Sequence, residues 1–117
     1  MDLDKSFVNG SIPLLVMKLL EEKDLYGYQM IEEIRLQSAD ALHLKAGTLY
    51  PLLHGMKEKG FVTAYEQAAV NGKSRRYYHL TDQGRAALQE KEASWKTYVR
   101  VVGQVLKFGD PGSWTQD

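Results

Sequence analysis

The chain has no cysteine, so a disulfide framework, a cysteine zinc site and a thiol nucleophile are excluded, and a reducing compartment is the natural setting. It has no excess of charge of either sign, with 15 Lys and Arg against 15 Asp and Glu. It also has no apolar run of the ~18 residues that a membrane span needs. Its first ten residues carry neither the basic start nor the apolar stretch of a signal peptide. The expectation is a cytoplasmic protein without a membrane partner. No paired carboxylates or Ser/His/Asp arrangement stand out, and the phosphate loop GxxxxGK(S/T) is missing. The three histidines lie 11 and 25 residues apart, which is not ligand spacing. Neither an enzyme nor a metal site nor a cofactor is expected.

A balanced total argues against a nucleic-acid partner, because neutralising phosphates is the main source of affinity for one. The distribution reverses that impression. Residues 1–42 hold four basic residues against eight acidic ones, residues 43–79 hold six against two, and residues 80–117 hold five against five. Positive charge is therefore concentrated in the middle third, as expected if that segment alone meets DNA.

That segment, Lys45 to Thr81, organises the chain. On a helical wheel Ala46, Leu49, Leu52, Leu53 and Met56 share one side, and Gly47, Pro51, His54 and Glu58 share the other. Gly60 then stops the helix. Phe61, Thr63 and Tyr65 alternate with Val62, Ala64 and Glu66, and Asn71-Gly72 turns the chain back into Ser74 to Leu80. Two helices precede it. The first is read from Ser11, with Pro13 in its first turn, after a loose end over residues 1–10; it is apolar nearly all round, so it must be covered on both sides. The second is read as capped by Asp24 and running from about Tyr26 to Gln37, with Met30, Ile34 and Ile31 inward, before a connection anchored by Leu42 and Leu44. Helices followed by a β-hairpin describe a winged helix-turn-helix: a mainly α fold with a small hairpin.

The chain resembles the PadR family of bacterial transcriptional regulators. The residues that carry the likeness are Leu14 to Leu20, Tyr26-Gly27-Tyr28, Gly47 to Leu53, Lys59-Gly60, and Arg75 to Thr81 with Gly84. The single long helix after the hairpin is similar to the family's short-chain branch. The resemblance implies double-stranded DNA as partner and a winged domain over residues 11–80. A dimerisation helix would follow over residues 81–106; residues 107–117, which hold Pro111 and Gly112, are read from composition as a flexible tail.

In such a domain the third helix enters the major groove and the wing lies along the backbone. Thr48, Tyr50, Pro51 and His54 lie on or beside the exposed face of that helix, while Lys45 and Lys57 suit phosphates. His54 reads equally as a contact and as a solvated histidine. Many family members carry Arg or another long polar residue where this chain has Gly55, so no base contact is carried over there. At the start of the second helix Tyr28 either gives its hydroxyl to a phosphate or, like Tyr26, packs against the neighbouring helix, and Gly27 permits close approach of a helix or of DNA. The wing contributes Asn71, Gly72, Lys73, Ser74, Arg75 and Arg76. Alternation sends the two arginines to opposite faces, so one can meet DNA while the other supports it.

Thr81 caps the last helix, read from Asp82 to about Leu106, roughly 37 Å at 1.5 Å per residue. Leu88, Trp95, Val99, Val102 and Leu106 are spaced seven, four, three and four apart, a coiled-coil seam, and a homodimer interface is expected from these with Leu15 and Leu19. Trp95 either fills that interface or, facing its symmetry mate, helps hold a planar apolar ligand. In the short-chain branch an aromatic at a similar place is associated with hydrophobic effectors, which implies an effector site at Trp95, Tyr98 and Val99. The leading expectation is a ligand-responsive repressor on a pseudo-palindromic operator; the alternative is a winged-helix protein-interaction module without DNA binding.

Overall fold

The computed structural model describes residues 3–108, and in them seven elements follow one another. They are α1 (Lys5–Glu22), β1 (Leu25–Tyr26), α2 (Gly27–Gln37), α3 (Ala46–Glu58), β2 (Val62–Ala68), β3 (Ser74–Leu80) and α4 (Asp82–Leu106). The strands form one antiparallel sheet in the order β1-β3-β2. Val62 pairs with Leu80 and Ala68 with Ser74, leaving residues 69–73 as the tip of the wing. Gly72 there takes a φ of +82°, which a residue with a Cβ adopts only under strain. The mainly helical architecture with a hairpin and a long last helix is the one expected; β1, two residues long, was not anticipated.

The start of α1 departs from expectation. Residues 5–10 are helical rather than a loose end, and Asp4 rather than Ser11 is the N-cap. The Asp4 carboxylate accepts from the Ser6 amide at 2.8 Å and from its hydroxyl at 2.7 Å. Ser11 sits inside the helix and donates its hydroxyl to the Val8 carbonyl at 2.9 Å. Ser-Ile-Pro resembles a start because both flanking residue types favour first turns. The helix instead accommodates Pro13 and is capped a full two turns earlier.

Ile12, Val16, Met17, Leu19 and Leu20 of α1 are buried among Met30 and Ile34 of α2, Leu49, Leu53 and Met56 of α3, Val62, Tyr78 and Leu80 of the sheet and Leu88 of α4. No polar or charged side chain is buried among the described residues. The remaining side of α1 is covered by α4 of the same chain, and Lys18 ties the two helices by pairing with Glu92 at 3.2 Å and with Glu21 at 2.9 Å. Two residues expected at a dimer interface are corrected by this packing. Leu88 is 0% exposed and Leu19 8% within the single chain, so they have almost no surface left to give a partner. The heptad spacing places Leu88 on the right face; α1 reaches that face first.

The wing is locked to α4 where the two meet. Thr81 Oγ1 accepts from the Gly84 amide at 3.0 Å, the expected cap, and donates to the Gly60 carbonyl at 2.6 Å. Gly84 is buried against Phe61: a Cβ there would lie 2.7 Å from Leu80 Cδ1 and collide with the Phe61 carbonyl. The helix ends at Leu106, as read, with Lys107 left-handed at φ 63°. Of the expected tail, residues 109–117 lie outside the described residues.

Candidate nucleic-acid interface

Leu49, Leu53 and Met56 turn α3 inward, which leaves Lys45, Thr48, Tyr50, Pro51, His54 and Lys57 exposed. Ala46, assigned to the inner side of the wheel, is exposed as well, because the first turn projects beyond the core. The helix is already formed at Ala46 and runs through Pro51. His54 lies 3.4 Å from Glu58, one turn on, both well exposed. Gly47 and Gly55 have nothing within 4 Å of where a Cβ would project, so both border open space.

The N-terminus of α2 is built differently from the reading. Tyr26, not Asp24, is the N-cap residue, and the Gln29 side chain accepts from its backbone amide at 3.0 Å. Asp24 instead accepts from the Tyr65 hydroxyl at 2.7 Å and from His79 Nδ1 at 2.8 Å, tying the α1–β1 turn to the wing. The two-residue β1 pulls Asp24 away from the helix by pairing Leu25 with Tyr78 and Tyr26 with Tyr77. Tyr28 is exposed. Gly27 is buried, and what approaches it closely is the Tyr50 ring of α3, so the two motif helices meet there.

Cross-strand pairing also lines up three tyrosines that sequence reading did not connect. Tyr26, Tyr77 and Tyr65 sit side by side on β1, β3 and β2. Tyr65 stacks on Tyr77 at 5.7 Å between centroids, and Tyr26 meets Tyr77 edge-on at 5.4 Å. The alternation around Tyr65 is legible in the sequence; β1, which brings Tyr26 into the row, is not.

The row separates the two wing arginines. Arg75 lies over the Tyr26 ring, 4.7 Å from its centroid, and has no carboxylate partner among the described residues. Arg76 faces Glu66 at 3.4 Å, and Ser74 donates to the same carboxylate at 2.7 Å. Between the wing and α2 a groove is lined by Tyr26, Gln29, Asn71, Arg75 and Tyr77. Tyr50, the start of α2 and the Arg75 side of the wing thus follow one another in contact, whereas Arg76 and Ser74 turn to Glu66. Lys73 and Gly72 are exposed at the tip, where the Asn71 side chain accepts from the Lys73 amide at 3.1 Å.

On α4 no residue between Leu88 and Gly103 is buried. Trp95, Tyr98, Val101, Val105 and Leu106 are exposed, Val99 and Val102 are half-buried, and Leu15 of α1 is half-buried. Trp95 and Tyr98 lie 6.4 Å apart and line a groove of about 250 Å³ with Gly10, Pro13 and Leu14 of α1; Val99 is not part of its lining. Among the described residues no group of three His, Asp or Glu side chains is placed to hold a metal ion, and no helix is long and apolar enough to cross a membrane.

Comparison with known proteins places this arrangement. Residues 16–90 match the transcriptional regulator PadR-like family. A transcriptional regulator of Mycobacterium tuberculosis is 30% identical over 98 residues, covering 84% of this chain and 88% of its own. Among solved structures, a PadR family transcriptional regulator from Eggerthella lenta is 30% identical with a TM-score of 0.77, covering 86% of each chain. A PadR family transcription regulator from Clostridium difficile is 33% identical with a TM-score of 0.72, covering 82% of this chain and 98% of its own.

Proposed function

The chain belongs to the transcriptional regulator PadR-like family, regulators that bind DNA and are not enzymes, and from that premise we propose that it acts in the cytoplasm as a homodimeric repressor on a pseudo-palindromic operator. The third helix enters the major groove through Lys45, Thr48, Tyr50, Pro51, His54 and Lys57, and the wing follows the backbone through Asn71 to Arg76. One observation carries the reading. Arg75, unlike Arg76, has no acidic partner among the described residues, it is held on the Tyr26 ring, and that ring adjoins the α2 start on which Tyr50 packs. A cation held in place yet unneutralised is what a phosphate requires.

The bare stripe on α4, Trp95 with Tyr98, Val101, Val105 and Leu106, supports the dimer. A symmetric pair through this stripe would set two recognition helices one DNA turn, ~34 Å, apart. The groove beside Trp95 supports binding of a planar hydrophobic effector, which would act by favouring one separation of the two wings.

A gel shift with duplex from the chain's own upstream region, against scrambled duplex at two salt concentrations, tests the reading. A shift that prefers the native duplex and weakens steeply with salt is expected. No shift at low salt from a folded dimer overturns it in favour of a protein-interaction module.

A further inference from the structure

Gly27 opens α2 and is buried, yet its backbone does not call for glycine: among the described residues the glycines with positive φ are Gly60 and Gly72. Alanine is moreover the better helix former. What excludes a side chain there is Tyr50. The three atoms nearest to a Cβ at residue 27 all belong to that ring, Cζ at 2.6 Å, Cε1 at 2.9 Å and the hydroxyl closer still. Tyr50 is 47% exposed, and its hydroxyl makes no hydrogen bond among the described residues. It is seated on α2 by shape, with its polar atom unused by the chain.

We propose that Gly27 is a positioning residue for DNA binding, acting through Tyr50: the missing Cβ seats the phenol against α2 and fixes its hydroxyl for a phosphate oxygen. This rests on the DNA-binding reading above. The obstacle to a Cβ distinguishes this glycine from Gly84. At Gly84 the nearest atoms include the Phe61 carbonyl, which cannot move without the backbone; at Gly27 they are the far end of a half-exposed side chain, which can swing into solvent. Gly27→Ala therefore dislodges Tyr50 and leaves the domain folded.

A double-mutant cycle separates positioning from bulk structure. The probe is the duplex that the wild-type chain enriches from a random-sequence pool, and the readouts are gel-shift affinity and thermal midpoint for wild type, Gly27→Ala, Tyr50→Ala and the double variant. Gly27→Ala is expected to weaken binding on the order of tenfold, as loss of a hydrogen bond to a charged group does, with its melting midpoint kept. In the Tyr50→Ala background the same change is expected to cost less than about twofold. An equal loss in both backgrounds, or a Gly27→Ala chain that binds as wild type does, overturns the inference while DNA binding stands. Failure of the wild type to enrich any duplex overturns the DNA-binding reading and the inference with it.

Discussion

Asp24 and His79 stand 55 residues apart in the chain and 2.8 Å apart in the fold, with the second carboxylate oxygen of Asp24 taken by the Tyr65 hydroxyl at 2.7 Å. Beside a carboxylate, Nδ1 is the protonated nitrogen of the imidazole. Burial pushes the Asp24 carboxyl up, but the hydrogen bonds from Tyr65 and His79 together outweigh it and hold the group below the ordinary aspartate value. The same contact to Asp24 pushes the Tyr65 phenol up.

A carboxyl held low contributes stability that is present above its unfolded value, near 3.9, and is lost as pH falls through the folded one. Asp24→Asn is expected to cost on the order of 1–2 kcal/mol at neutral pH. The gap to wild type should close as both are acidified below about pH 4. Thermal melts across that range check this, and a gap that stays constant into acid would show that Asp24 does not act through its charge.

The wing arginines should separate in DNA titrations. Arg75→Ala is expected to weaken binding to all duplexes alike and to lower the slope of log affinity against log salt by about one. Arg76→Ala should do less, because Glu66 already offsets its charge. Glu66→Gln should raise affinity. The reverse order of the two arginine effects would assign the phosphate contact to Arg76.

Gly84→Ala should act on the fold itself. Its Cβ meets the Phe61 carbonyl and Leu80, so α4 must shift off the wing, at a cost of about 1–3 kcal/mol. Chemical denaturation measures it, and a wild-type midpoint would mean that the α4–wing junction gives way more readily than its packing implies.

Leu88 and Trp95 lie on one helix but should fail differently. Leu88→Ala removes a side chain with no exposed surface and should cost about 2–5 kcal/mol at any protein concentration. Trp95→Ala, combined with Val105→Glu, should leave the winged domain intact and shift light scattering from dimer to monomer on dilution. A dimer that survives the pair of changes would move the interface off this stripe.

Where a signal is local, the chain is legible residue by residue. Thr81 marks the start of α4 because its hydroxyl accepts from an amide three residues on, and Asn71-Gly72 marks the wing tip because few residues tolerate a positive φ. The same local logic misplaces the start of α1 at Ser11 and assigns Asp24 to a helix cap. Asp4 outcompetes the first, and a two-residue strand too short to leave a pattern claims the second.

The order of helices and hairpin, the inward stripes of α2 and α3, the length of α4 and the concentration of positive charge around the motif are all legible in the residues. All of these follow from periodicity, capping and composition, which act over a few residues. Three relationships come from the packing alone: Leu88 is covered within its own chain, Arg76 but not Arg75 is paired with a carboxylate, and the ring seated on Gly27 is that of Tyr50. Each of those depends on which surfaces meet once the chain is packed, and contact between residues far apart in sequence leaves no period to read.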